Sequence, residues 1–332
     1  MLPNRLPKTE KSYAIKARNL RSQAARARGY ISPNTVPITT VVEYVISQKP
    51  TYSRNTWKQY KNALRFHAQQ MIEIHHEKVV AEEAQAAIRM LDQETSEGCM
   101  KAGTRTSALK QKTFKRADFD KLIAYLQQHI GKHRYAHTLT LWLRASRLTG
   151  LRPVEWEHAN LTQIYSTTPG SSNGTAVPAL VVRNAKATNG RANGKERVLL
   201  LDLLSDEDLS VIQDMIEMVK CYLTEIPFGQ LQEACRTYMK RATRNCFGKR
   251  HKYPTLYSNR HQVSADAKYS GLSKAEVAAL LGHASDETAG SHYARKASGE
   301  SAIKISPLAS NINTVRIRSR TFVRRKKGIR PL

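Results

Sequence analysis

Between residues 38 and 110 apolar side chains recur at helical spacing. Val41, Val42, Val45 and Ile46 fall on one face of a first helix. Ser53 has the character of an N-cap, and Trp57, Tyr60, Leu64 and His67 follow it along one stripe. A third pattern runs through Val80, Ala84, Ala87 and Ile88 to Leu91. These spacings predict an all-helical unit over 35–110. The stretch 103–115 is polar, basic and without period, and reads as a linker that closes it. From residue 116 the pattern is mixed. Helices are predicted at 117–129 and 135–149, with Gly150 as a stop and Pro153 restarting the chain at a first helical position. Strand-like runs follow at 161–166, 179–184 and 197–201. The last two flank the Gly/Asn-rich loop 189–194, as in a hairpin. Helices resume at about 206–225 and 229–245, and Ser273 with Glu276 forms a capping box before a short apolar helix. The expected fold class is α+β and mainly helical: an all-helical N-terminal domain, then a mixed α/β domain over 113–302 with a small antiparallel sheet. Outside both lie a basic, part-helical N-terminal arm (1–34), ended by Gly29 and the Ser32-Pro33-Asn34 turn, and a basic C-terminal tail (303–332). No internal repeat is visible.

Charge changes the picture. The 332 residues carry 54 Lys and Arg against 27 Asp and Glu, a formal net charge of +27. A small domain usually needs a charge of only about 2 to 8 for solubility. The excess is concentrated in three places. Residues 1–30 hold eight basic residues and one acid, 301–332 hold nine and none, and 101–116 hold six and none (Lys101, Arg105, Lys110, Lys112, Lys115 and Arg116). Such a distribution points to nucleic acid as the partner. A membrane surface fits less well, because the face opposite the charges in 14–28 is mostly alanine. No run approaches the ~18 to 20 apolar residues of a membrane span, and no apolar run follows the charged N-terminus as in a secretory signal. The reading is a cytoplasmic, DNA-associated chain. Four scattered cysteines (Cys99, Cys221, Cys235 and Cys246) form neither a CxxC pair nor a zinc-finger spacing.

Four segments of the second half carry candidate chemistry: Thr149-Gly150-Leu151-Arg152-Pro153-Val154-Glu155, the hairpin bearing Lys186, Tyr257-Ser258-Asn259-Arg260-His261, and Leu280-Leu281-Gly282-His283 with Tyr293 ten residues on. Together they resemble the tyrosine recombinase (phage integrase) family. Its pattern is an Arg in T-G-L-R-x-x-E, a Lys on a β-hairpin, H-x-x-R, L-G-H, and a Tyr nine or ten residues later. The resemblance covers about 115–300, and the helical first unit with its basic linker fits the family's core-binding domain. One position departs from the pattern: Tyr257 stands where the family usually has the His of H-x-x-R.

The chemistry explains why these residue types belong together. A phosphodiester attacked by an oxygen nucleophile gathers negative charge on its non-bridging oxygens. Guanidiniums hold those oxygens by paired, charge-assisted hydrogen bonds at any physiological pH. Arg152 and Arg260 are the candidates, and His283 is a third donor. No metal or other cofactor is then required; the acidic run 206–208 reads as a helix opening. The resemblance implies that Tyr293 is the nucleophile, forming a covalent 3′-phosphotyrosine and releasing a 5′ hydroxyl without ATP. Lys186 is the candidate general acid for that leaving group; Arg191 and Lys195 share its hairpin, but Lys186 leaves the first strand, where the family's lysine sits. With Tyr257 in place of a histidine, the general base is open; His261 and His292 are near in sequence, but His292 neighbours Tyr293 on a helix and is expected to point elsewhere. His261 is expected to pack within the helix that carries Arg260. Glu155 is expected to orient a cationic or histidine partner.

The resemblance further implies a clamp around duplex DNA and a homotetramer on two sites, a dimer on each. Integration, excision or resolution of a mobile element would be the outcome, with accessory directionality or DNA-bending proteins as possible partners. The alternating run 313–323 offers a strand to a neighbouring subunit. Two alternatives stand beside this reading: a type IB topoisomerase-like or hairpin-forming strand transferase, and a non-catalytic DNA-binding or architectural protein.

Overall fold

The computed structural model describes residues 7–74, 77–100, 111–166, 175–185, 187, 192–288 and 296–318. The chain divides into two compact units, Met1–Arg105 and Thr106–Leu332. Among the described residues no helix is long and apolar enough to cross a membrane.

The first unit is built from α1 (Pro7–Arg28), α2 (Ile38–Ser47), α3 (Arg54–Ile74) and α4 (Lys78–Gln93). The apolar stripes read from the sequence form its core: Val41, Val42 and Val45 from α2, Trp57 and Leu64 from α3, Ala84, Ala87 and Leu91 from α4. Ser53 caps α3, its hydroxyl accepting the Thr56 N–H at 3.2 Å. Residues 7–28 do not form the separate arm expected over 1–34. Ala17, Leu20, Ala24 and Ala25 of α1 are buried in the same core. The alanine face that is too small to grip a lipid surface is what lets α1 pack closely on its neighbours, while Lys11, Arg18, Arg26 and Arg28 stay exposed. Arg21 anchors the helix by donating to the Val36 carbonyl at 2.9 Å.

The second unit contains α5 (Arg116–Gln127), α6 (Ala136–Thr149), a 3-10 turn (Pro153–His158), β1 (Asn160–Ser166), β2 (Thr175–Arg183), β3 (Glu196–Leu200), α7 (Asp206–Leu223), α8 (Phe228–Phe247), α9 (Ser258–Tyr269), α10 (Lys274–Leu280), β4 (Ser306–Pro307) and α11 (Ala309–Asn313). Helix α6 is the axis of this unit. Its residues are buried around almost the whole circumference, with Trp142 fully enclosed, as befits a helix surrounded by others. Trp156 also lies in the core, its indole N–H donating to the Ser146 hydroxyl at 3.1 Å. The acidic run opens α7, where Ser205 supplies the cap and the carboxylates meet the positive end of the helix dipole. Ser273 and Glu276 form the expected capping box on α10.

The sheet is antiparallel in the order β1-β2-β3-β4. In β3 the buried positions alternate, so Arg197 and Leu199 share the inward face. Its fourth strand comes from a segment assigned above to the basic tail. Leu199 and Leu200 pair with Pro307 and Ser306, α11 follows, and Val315 is buried against Ala278 and Ala279 of α10. Residues 303–318 therefore belong to this unit instead of forming a tail. Of the alternating run 313–323, Asn313 ends α11 and the described part lies on its own unit, Arg316 bridging to Ser285. Residues 319–332 lie outside the described residues.

Candidate active site

The site forms where α6 ends. Gly150 stops the helix at φ +64°, and a Cβ there would meet Val263 of α9 at 2.8 Å. Both the left-handed turn and the close approach of α9 demand glycine. The chain then turns through Arg152 into the 3-10 turn, in which Glu155 faces back. Its carboxylate accepts the Arg152 backbone N–H at 2.8 Å and the Arg152 guanidinium at 2.5 Å. Both residues are buried.

Helix α9 brings Arg260 to the same place. The side chain is fully enclosed, donates to the Gly150 carbonyl at 2.9 Å and to the Leu281 carbonyl, and stands 3.6 Å from Glu155 Oε2. Helix α10 ends just before Gly282 and His283. Arg260 Nη2 donates to His283 Nε2 at 3.3 Å, an arrangement that puts the imidazole proton on Nδ1. His283 also bridges to Ala192 on the return of the hairpin, and the Ala185 N–H on its outgoing side reaches Glu155 at 3.4 Å. Gly282 has φ +63°, and a Cβ would run into the Asn184 side chain and come within 2.8 Å of Arg197 Nη1.

Arg152, Glu155, Arg260 and His283, predicted from separate segments, thus share one buried cluster. Lys186 and Tyr293 lie outside the described residues, as do Arg191 and His292. The flanks of 289–295 are firmly held. Arg316 donates its N–H to the Ala284 carbonyl at 3.0 Å on one side. On the other, Gln262 Nε2 donates to the Ser298 carbonyl at 2.8 Å and the Glu300 N–H to Asp266 at 2.9 Å.

The sequence reading passed over one member of the cluster. Arg197 on β3 is fully buried and donates to both oxygens of Glu155, at 3.2 and 2.8 Å. The signal was available: in a strand whose alternate residues face inward, an arginine takes the same face as Leu199. Three buried guanidiniums therefore surround a single carboxylate, leaving these four groups with two positive charges in excess. The guanidiniums hold the Glu155 carboxyl far below its usual range, overcoming the opposing effect of burial. Burial, reinforced by Arg260, Arg152 and Arg197, pushes His283 down to about 2, so the imidazole is neutral at physiological pH. His261 is half-buried, its ring 5.4 Å from the Tyr257 ring, and burial with Lys112 and Arg260 lowers it to about 4. Neither imidazole is a strong base at neutrality.

Beside the cluster runs a groove of about 410 Å³, lined by Pro153, Tyr257 and the Arg236, Lys240 and Arg244 side chains of α8. Of the six basic linker residues, Lys101, Arg105 and Lys110 lie outside the described residues. Lys112 is exposed, whereas Lys115 and Arg116 are exposed but approach Glu300 at 3.9 Å and Asp120 at 2.8 Å. Surface pairs of this kind contribute little and exchange readily for other anions. Among the described residues no group of three or more His, Cys, Asp or Glu is placed to hold a metal ion.

No family model matches the chain, and no curated protein does. Among the solved structures it is similar to are two recombinases. One is the crystal structure of XerA recombinase, at 13% identity and TM-score 0.33, over 85% of this chain and 92% of that one. The other is XerH site-specific recombinase bound to its difH substrate in a pre-cleavage complex, at 12% identity and TM-score 0.38, over 89% of this chain and 95% of that one.

Proposed function

We propose that this protein is a tyrosine-type site-specific recombinase. It would cut and rejoin duplex DNA through a covalent 3′-phosphotyrosine, without metal or ATP. The observation that carries the reading is the buried cluster of Arg152, Arg197 and Arg260 around the lone Glu155. Guanidiniums gathered in one buried cluster give fixed, charge-assisted donors suited to an anionic ligand. An incoming phosphodiester supplies one negative charge, and the pentacoordinate state supplies two.

In this reading Arg152 and Arg260 turn N–H donors toward the non-bridging oxygens, where their charge counts most as the phosphorane forms. Each such fixed donor is commonly worth ~10²–10³ in rate. His283, neutral in the free protein, donates a hydrogen bond in one tautomer and takes on more positive character once the phosphate is bound. Tyr293 attacks phosphorus through its phenolic oxygen as its own proton passes to water, the P–O5′ bond breaks, and Lys186 gives a proton to the departing 5′ oxygen. The 5′ hydroxyl of another strand then reverses the reaction, so bond energy is kept in the phosphotyrosine. Tyr257, lining the groove beside Arg152, donates a hydrogen bond where the family's histidine would act. The groove residues of α8 and the linker lysines supply a track for the phosphate backbone. Two duplexes joined this way require a homotetramer, a dimer on each site.

The test is a nicked suicide duplex carrying the cognate site, taken from DNA flanking the gene. Wild type should form an adduct that survives SDS, Tyr293→Phe should bind equally and form none, and Arg152→Ala should cleave ~10²–10³-fold more slowly. Absence of any wild-type adduct would overturn the reading. Relaxation of supercoiled plasmids of any sequence would replace it with the topoisomerase one.

A further inference from the structure

We propose that Arg197, which no part of the resemblance singles out, is a positioning residue that fixes three segments of the site relative to one another. The proposal rests on the recombinase reading for its catalytic consequence, but its geometric core does not. The Arg197 guanidinium has five N–H groups in a rigid plane, and four hydrogen bonds leave it. Nε donates to the Leu280 carbonyl at 3.0 Å, at the end of α10 three residues before His283. Nη1 donates to Asn184 Oδ1 at 2.5 Å, where β2 ends and the hairpin begins. Nη1 and Nη2 donate to Glu155 at 3.2 and 2.8 Å, and Glu155 in turn holds the Arg152 guanidinium and backbone. One planar group therefore sets the Arg152 turn, the start of the hairpin and the His283 turn.

Two further observations agree. Gly282 can carry no side chain because Asn184 and Arg197 occupy that space. Asn184 itself donates to the Asn193 and Gly194 carbonyls at 2.8 and 3.2 Å, so the brace closes the base of the hairpin as well. The hydrogen bonds of Arg197 go to Glu155, Asn184 and Leu280, and in this proposal it acts through them. A lysine would keep the charge beside Glu155 but cannot direct donors from one plane to all three acceptors. Arg197→Lys therefore separates positioning from simple charge balance.

The experiment uses the full chain as wild type, Arg197→Lys and Asn184→Ala. Amide hydrogen exchange of the DNA-free protein is read at 152–158 and 280–284, with α2 as internal reference. Single-turnover cleavage of the suicide duplex and DNA Kd are measured in parallel. We expect Arg197→Lys to exchange faster at both segments and unchanged in α2. Cleavage should fall by about 10²-fold, the loss typical of misplacement by about an ångström, with Kd within about threefold of wild type. Asn184→Ala, which removes one acceptor and leaves the charge pair intact, should show a smaller change of the same kind. It decides the matter if Arg197→Lys does not fold. Wild-type exchange and cleavage in the variants would overturn the proposal, as would a cleavage loss matched by an equal loss in binding. If wild type forms no adduct, the recombinase reading fails, and exchange alone decides for or against Arg197.

Discussion

Glu155→Gln is the perturbation that speaks most directly to the charge arrangement. In the native protein the carboxylate is enclosed, accepts hydrogen bonds from Arg152 and Arg197, and stands 3.6 Å from Arg260. The substitution preserves shape to within an atom. It removes the one anion and turns an NH₂ toward guanidinium donors. Breaking a buried ion pair from one side commonly costs ~3–5 kcal/mol. In a domain of 150–250 residues each kcal/mol lowers Tm by roughly 2–4 °C, so the second unit should melt about 6–20 °C lower. Glu155 is ionised in the folded state far below the pH at which the unfolded chain protonates it. Its contribution is thus complete above about pH 4.5 and fades as pH falls further. The gap between wild type and variant should narrow below that pH. An anion seated among the guanidiniums replaces the missing charge, so a short DNA duplex should raise the variant's Tm by more than it raises that of wild type. Scanning calorimetry across pH 3.5 to 7.5, with and without duplex, measures all three effects. A variant that melts within about 2 °C of wild type throughout, with the same response to DNA, would refute the idea that the cluster waits for a phosphate.

His283 gives a second pH effect, of the same sign. Its folded value of about 2 lies below the ordinary 6.5, so between them the unfolded chain binds a proton that the native state does not. Stability should fall as pH drops below 6.5, by about 1.4 kcal/mol per unit and hence about 2 kcal/mol by pH 5. Because His261 titrates in the same window, the measurement is the difference in urea midpoint between wild type and His283→Gln. A difference that does not change with pH would contradict it. Gly271 and Gly282 offer a matched pair: both have positive φ, but only Gly282 faces Asn184 and Arg197. Gly271→Ala should cost about 1–2 kcal/mol, the ordinary penalty of a left-handed residue. Gly282→Ala should cost distinctly more in a denaturant titration, and equal losses would show that the crowding is unimportant.

Local signals carried much of the architecture. The stripes of α2, α3 and α4, the Gly150 stop, the hairpin and the capping box of α10 each depend on residues within about ten positions of one another, where periodicity and capping act. What escaped depends on long-range partners. In the sequence the charges of α1 stand out, yet Ala17, Leu20 and Ala24 commit it to the first core, a choice that only α2 and α3 reveal. Strand β4 is two residues long, too short for alternation to show, and is defined by its register on β3. In the site, Arg152, Glu155, Arg260 and His283 stood out because they lie in recognisable segments. Arg197 lies in none, and its role comes from hydrogen bonds to Glu155 and Leu280, 42 and 83 positions away.

The account's central claim concerns the atom that becomes linked to DNA. After reaction with the suicide duplex, nuclease digestion and trypsin cleavage, mass spectrometry of the adduct reads it directly. Peptide 275–295 contains His283 and a single tyrosine, Tyr293. The account predicts that this peptide carries the residual nucleotide through a phosphate ester on Tyr293, and that Tyr293→Phe abolishes the modified species. A nucleotide attached to any other residue, or strand cleavage with no attached nucleotide, would contradict it.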